Sequence, residues 1–162
     1  GSRSDPEQVT MLKDIIKSFD NVLGVYDCNI HNYGPLKSVA TAHIEVPDDL
    51  TAKTIHNLIR RIQIKVYEEL GMTLTLGIYA SNNTGKAKEI KDYLIDILQN
   101  YTNLIQFHGF YFDESINLVT FDLIFSFDEE DVDTRVKEIK NLLKLKYPDY
   151  YFSIIIDTDI SE

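Results

Sequence analysis

The chain has 162 residues, 44% of them hydrophobic, which is enough for one ordinary core or two very small ones and too apolar for a disordered tail. With 26 acidic against 16 basic residues the formal charge is -10, which argues against a nucleic-acid or anionic-membrane surface and favours cations. The one cysteine, Cys28, excludes an internal disulfide and fits a reducing cytoplasm.

The chain opens Gly1-Ser2 without a methionine, so residues 1–4 read as a tag remnant and linker, and the whole as a piece of something longer. From Asp5 to Phe19, Pro6 sits at a plausible first helical position and Val9, Leu12, Ile15, Ile16 and Phe19 recur at helical spacing. "VLGVYDCNI" then reads as a strand, "HNYGP" as a turn, and "SVATAHIEV" as a strand. In that second strand Ala40, Ala42, Ile44 and Val46 alternate with Val39, Thr41, His43 and Glu45, and the first set should face a core. "PDDLTAKTIHNLIRRIQIKVYEEL" predicts a helix that opens with acidic residues and carries Ile55, Leu58, Ile59, Ile62 and Val66 on one stripe. "TLTLGIY" closes the unit as a third strand. The longest uncharged stretch, Leu70 to Gly85, is broken by glycine, threonine and asparagine and cannot serve as a membrane span.

After "SNNTG" the order starts again: a helix from about Lys86 to Tyr101, the strand "LIQFHGFYF", a turn at "DESIN", the strand "LVTFDLIFSF", a helix over about Val132 to Lys146, and "YYFSIII". "DNVLGVYD" lines up with "TNLIQFHG", and Ile55, Leu58 and Ile62 with Val136, Ile139 and Leu143. The expected fold class is α+β: two tandem ferredoxin-like αββαβ modules, each a three-stranded sheet with two helices on one face. The expected boundaries are 5–82 for the first module, 83–85 for the linker and 86–162 for the second. Each sheet's other face needs cover. In the first module it should carry Thr41, His43, Glu45 and Tyr79, with Tyr26 and Cys28 from the first strand. In the second it should carry His108, Asp122 and Ser126 beside Ile124, Ile154 and Ile156.

Residues 5–82 resemble the cytoplasmic C-terminal domain of cation diffusion facilitator transporters, the cation efflux family. The likeness rests on "DPEQVTMLKDIIKSFDNVLGVYDCNIHNYGP", "ATAHIEVPDDLT" and "TIHNLIRRI". The second module shares it only through its likeness to the first. The resemblance implies a regulatory and dimerisation domain of a divalent metal efflux transporter, sensing cytosolic zinc or manganese. It also implies a homodimer, a transmembrane domain of the same parent chain as partner, and a place on the cytoplasmic face of the cell membrane. Carried over by position, His43 and His56 match two family ligands, while Tyr26, Tyr79 and Ser81 stand where further ligands are expected.

Two histidines alone hold zinc or another divalent transition metal weakly, because such an ion takes three or four nitrogen, sulfur or carboxylate donors. Cys28, read as sharing a face with Tyr26, and Asp27 are candidates to complete the set, although a free cysteine more often packs as a small hydrophobe. His56, with Lys53 and Arg60 a turn away on either side, also reads as a solvated helix flank. His108 takes the position of Tyr26 in the repeat, so a site split between modules would pair it with His43. His31 reads as an exposed turn residue. The acidic run Asp128 to Asp133 lacks the glycine and ligand spacing of a calcium loop and suits a helix N-terminus. "SNNTGK" lacks the phosphate-loop pattern. No nucleophile elbow, HExxH or dinucleotide turn is present, so no enzymatic activity is expected. The competing reading is a ferredoxin-like module that senses a small molecule or binds a protein.

Overall fold

The computed structural model describes residues 5–157. Residues 1–4 and the end of the second module, 158–162, lie outside the described residues. The chain divides into two compact units at Ala80/Ser81.

The first unit runs α1 (Pro6–Lys17), β1 (Gly24–Asn32), β2 (Ser38–Pro47), α2 (Ala52–Leu70) and β3 (Met72–Ser81), with sheet order β1-β2-β3. Asp5 caps α1 by accepting from the Glu7 amide at 2.9 Å, and Pro6 takes the first turn, where its missing N–H costs nothing. The second helix starts later than its acidic lead-in suggests. Thr51 is the N-cap, accepting from the Thr54 amide at 3.1 Å, so Asp48 and Asp49 precede the helix instead of opening it. Gly71 ends α2 in the left-handed conformation, φ 66°, which a residue without Cβ adopts freely.

The helices cover the sheet face bearing Ala40, Ala42, Ile44 and Val46, the set expected from the alternation. Against it pack Val9, Leu12 and Ile16 of α1 and Leu58, Ile62 and Val66 of α2, all buried.

The second unit repeats the order as α3 (Gly85–Leu98), β4 (Leu104–Asp113), β5 (Leu118–Phe125), α4 (Val132–Lys146) and β6 (Tyr151–Asp157), with sheet order β4-β5-β6. β4 and β5 form an antiparallel hairpin, and β6 returns parallel to β5 after the α4 crossover. Its core holds Val119, Phe121, Leu123 and Phe125 of β5 against Ile90 and Leu94 of α3 and Ile139 and Leu143 of α4. Each unit is therefore an α+β sandwich of two helices on a three-stranded sheet, as the repeat predicts.

The acidic run before α4 is a helix entry, as expected. Asp131 is the N-cap, accepting from the Thr134 hydroxyl at 2.6 Å and the Thr134 amide at 3.0 Å, and these bonds hold its carboxyl below the usual range. Glu129 instead pairs with Arg135 at 3.2 Å. Among the described residues no helix is long and apolar enough to cross a membrane.

Candidate metal centre

A β-bulge at the same place in both units decides which side chains reach the sheet face opposite the helices. In the first sheet Tyr26 pairs with His43 but Asn29 with Thr41, so β1 carries one residue more than β2 across this step. Asp27 takes φ 58°, a conformation that an L residue with a Cβ adopts at a cost. In the second sheet His108 pairs with Asp122 and Tyr111 with Thr120, the same slip, and here the left-handed position is Gly109, φ 71°.

The extra residue reverses the alternation. Val25 and Cys28, three apart, both enter the first core, and so does Ile30. Cys28 is 3% exposed in that core, which corrects the expectation that it shares a face with Tyr26. Its thiol packs as a small hydrophobe on the helix side. Phe107, Phe110 and Phe112 repeat this spacing in the second core.

Asp27 reaches the pair expected from sequence. Its Oδ2 lies 3.0 Å from His43 Nδ1 and accepts from the Tyr79 hydroxyl at 2.7 Å. The His43 ring stacks on Tyr79 with centroids 4.6 Å apart, while Tyr26 meets Tyr79 edge-on. The imidazole also lies close over β3: a Cβ added to Gly77 would stand 2.6 Å from His43 Nε2, so only glycine admits the ring in this position. The 3.0 Å approach of Asp27 to Nδ1 is a close polar contact without the alignment of a hydrogen bond.

His56 is exposed on α2, in the helix layer, whereas His43 lies on the opposite face of the sheet. The two histidines of the expected ligand pair are therefore not brought together. His31 is exposed, as expected.

In the second unit each strand contributes one group. His108 of β4 is 3% exposed, Asp122 of β5 is 6% exposed, and Asp157 ends β6. His108 Nε2 stands 3.6 Å from Asp122 Oδ2 and 3.5 Å from Asp157 Oδ2. The sequence pattern placed Asp122 on this face but did not single it out, and it missed Asp157. The reason is a phase error in β6. Ile154 packs on the helix-side core, where the alternation had placed it on the open face, and this puts Ile155 and Asp157 opposite. "YFSIIID" gives no polar alternation to read. The register would have found Asp157, since Asp122 pairs with Ile155 and Ile124 with Asp157.

Away from this face, the Tyr147 hydroxyl donates to Glu89 Oε2 at 3.0 Å. Burial, then the Glu89 carboxylate, push Tyr147 up to about 12, while the hydrogen bond from Tyr147, then that from Lys86, holds Glu89 below its ordinary range. This pair ties α4 to α3 and has no part in the sheet face.

The chain thus folds as two compact α+β units, each with a strand face that brings histidine and carboxylate together. Residues 4–76, which span most of the first unit, match the family model described as "Cation efflux protein, cytoplasmic domain". Among solved structures the chain is similar to CzrB, a candidate zinc transporter, at 20% identity over 49% of this chain and 99% of that one, with a TM-score of 0.46. It is similar to the metal-bound C-terminal domain of the CzcD transporter from Thermotoga maritima at 18% identity over 51% and 100%, TM-score 0.44. It is also similar to a nickel form of the MamM C-terminal domain at 19% identity over 47% and 99%, TM-score 0.42. The comparison with curated proteins found no match.

Proposed function

We propose that this chain is the metal-responsive regulatory and dimerisation region of a divalent cation efflux transporter, lying on the cytoplasmic face of the membrane beside the transmembrane part of the same parent chain. The observation that carries this reading is the family match over residues 4–76. The Asp27–His43 pair on the sheet's open face supports it, because imidazole and carboxylate are donors that a first-row divalent ion accepts. The region acts by binding and not by catalysis. The ion is cargo and signal: when it binds preferentially to one arrangement of paired chains, it shifts the population towards that arrangement by its difference in affinity. Zinc and manganese are the ions to try first, since imidazole and carboxylate donors accept both.

Calorimetric titration of the metal-free chain with each ion, run beside sedimentation analysis and repeated on His43→Ala, tests the reading. Saturable heat with a concurrent shift in self-association is the expected result. Unchanged association at saturating zinc and manganese would remove the metal-responsive role.

A further inference from the structure

We propose that the second unit carries a metal site of its own, in which His108 Nε2 and one carboxylate oxygen each from Asp122 and Asp157 hold a divalent first-row transition ion. This deepens the metal-responsive reading above and rests on it for its biological role, but the geometry stands separately.

Three observations converge. The ligating atoms come from all three strands of one sheet: His108 lies directly across from Asp122 in the β4–β5 register, and Asp157 arrives on the neighbouring parallel strand β6. The atoms offered by these groups lie within 4.8 Å of one another. Such a set is rigid, because its spacing is fixed by backbone ladders and not by a loop.

Burial supplies the second argument. His108 is 3% and Asp122 6% exposed, and a carboxylate removed from water needs a positive charge close by. A metal ion held between His108, Asp122 and Asp157 would provide it beside both carboxylates. A charge-assisted N–H···O bond spans about 2.7–2.9 Å. The separations here are 3.6 and 3.5 Å. Two donors each about 2.1 Å from one tetrahedral ion stand about 3.4 Å apart, so the spacing fits donors that share an ion better than donors that bond to each other.

The donor set then selects the class of ion. One imidazole nitrogen and two carboxylate oxygens, with no sulfur, suit Mn(II), Fe(II), Co(II) or Zn(II). Calcium takes six to eight oxygens and is a poor match. The single thiol of the chain, Cys28, lies in the first core, so no soft ligand is at hand for Cu(I). Water fills the remaining positions.

Cobalt(II) is the probe, since its visible bands report nitrogen and oxygen coordination directly. Titrated into metal-free His43→Ala, which lacks the first unit's imidazole, it should give saturable bands that are lost when His108→Ala or Asp157→Asn is added. Asp157 is 28% exposed at its side chain, so Asp157→Asn keeps the test open if removal of the buried histidine prevents folding. Bands lost in His43→Ala but kept when His108→Ala or Asp157→Asn is made alone would overturn the site while leaving the metal-responsive reading intact. Absence of bands, with the His108 ring titrating as an imidazolium by proton NMR, would overturn it too. Bands lost as expected, but with self-association unchanged by metal, would establish the site and sink the regulatory reading instead.

Discussion

The same backbone device presents different chemistry in the two units. In the first, the strand positions opposite the helices hold Tyr26, His43 and Tyr79, and the bulge residue Asp27 accepts from Tyr79 and brings a carboxylate 3.0 Å from the imidazole. In the second, the bulge residue is Gly109 and the carboxylates come from the strands themselves, Asp122 opposite His108 and Asp157 beyond it. One unit spends an unfavourable φ to place a carboxylate, whereas the other relaxes the backbone and moves the acids elsewhere. The bulge recurs in both units, with the histidine and carboxylate groups arranged differently around it.

The cores differ as much as the faces. The registers that align His43 with Asp122 also align Ala42 with Phe121, so the central strand is slim in the first unit and bulky in the second. Phe121→Ala is therefore the most damaging single change to the second unit, expected to cost about 3–5 kcal/mol. Denaturant unfolding should show the second unit's transition moving while the first stays, and one shared shift would mean that the two units unfold together. The reciprocal change, Ala42→Phe, overpacks the first core and should cost about 1–3 kcal/mol in the same assay.

The bulge gives the next test. Gly109→Ala places a Cβ at φ 71° and should destabilise the second unit by about 1–2 kcal/mol. Asp27→Gly relieves the corresponding strain in the first unit but removes the acceptor of Tyr79, so its stability should change by less than about 1 kcal/mol. A large loss of stability from Asp27→Gly would show that the carboxylate matters more to the fold than its bond to Tyr79 accounts for.

Helix entry is a smaller contrast. Thr51→Ala removes the cap of α2 and should cost about 1 kcal/mol, seen as a lower thermal midpoint. The Asp131 cap of α4 is additionally sensitive to acid. Its folded carboxyl titrates below the ordinary range, so its contribution is present above that range and fades as pH falls through the folded value.

The smallest expected effect lies at high pH and is seen at Tyr147 in the second unit. Tyr147 is raised from 10.0 to about 12, so between these values the native state keeps a proton that the unfolded chain has lost. The stability this contributes is whole below 10.0 and declines as pH rises towards about 12. Tyr147→Phe should flatten that part of the stability profile, and an unchanged slope would assign the decline to other groups.

Much of this was legible in the chain. Element order, the tandem repeat, the core set Ala40, Ala42, Ile44 and Val46, and the helix Val132–Lys146 follow from periodicities of two and 3.6 that burial imposes on any amphipathic element. His43 could be nominated from the family resemblance, His108 from its place in the internal repeat, and Asp27 as a neighbouring carboxylate able to add an oxygen donor. The face occupied by Cys28 could not be read, because strict alternation assumes an unbroken ladder and one inserted residue inverts it. Asp157 was hidden for a related reason, since a strand that is apolar on both faces carries no phase.

By itself the sequence determined what each unit is made of: two copies of one αββαβ pattern, the apolar stripes that drive each to fold, and an acidic surface suited to cations. Only the tertiary structure decided which side chains meet. Pairing register and the bulge are properties of two strands together, set by backbone hydrogen bonds that no single strand's residues encode. Those bonds separate His56 from His43, bury Cys28, and bring His108 to Asp122 and Asp157.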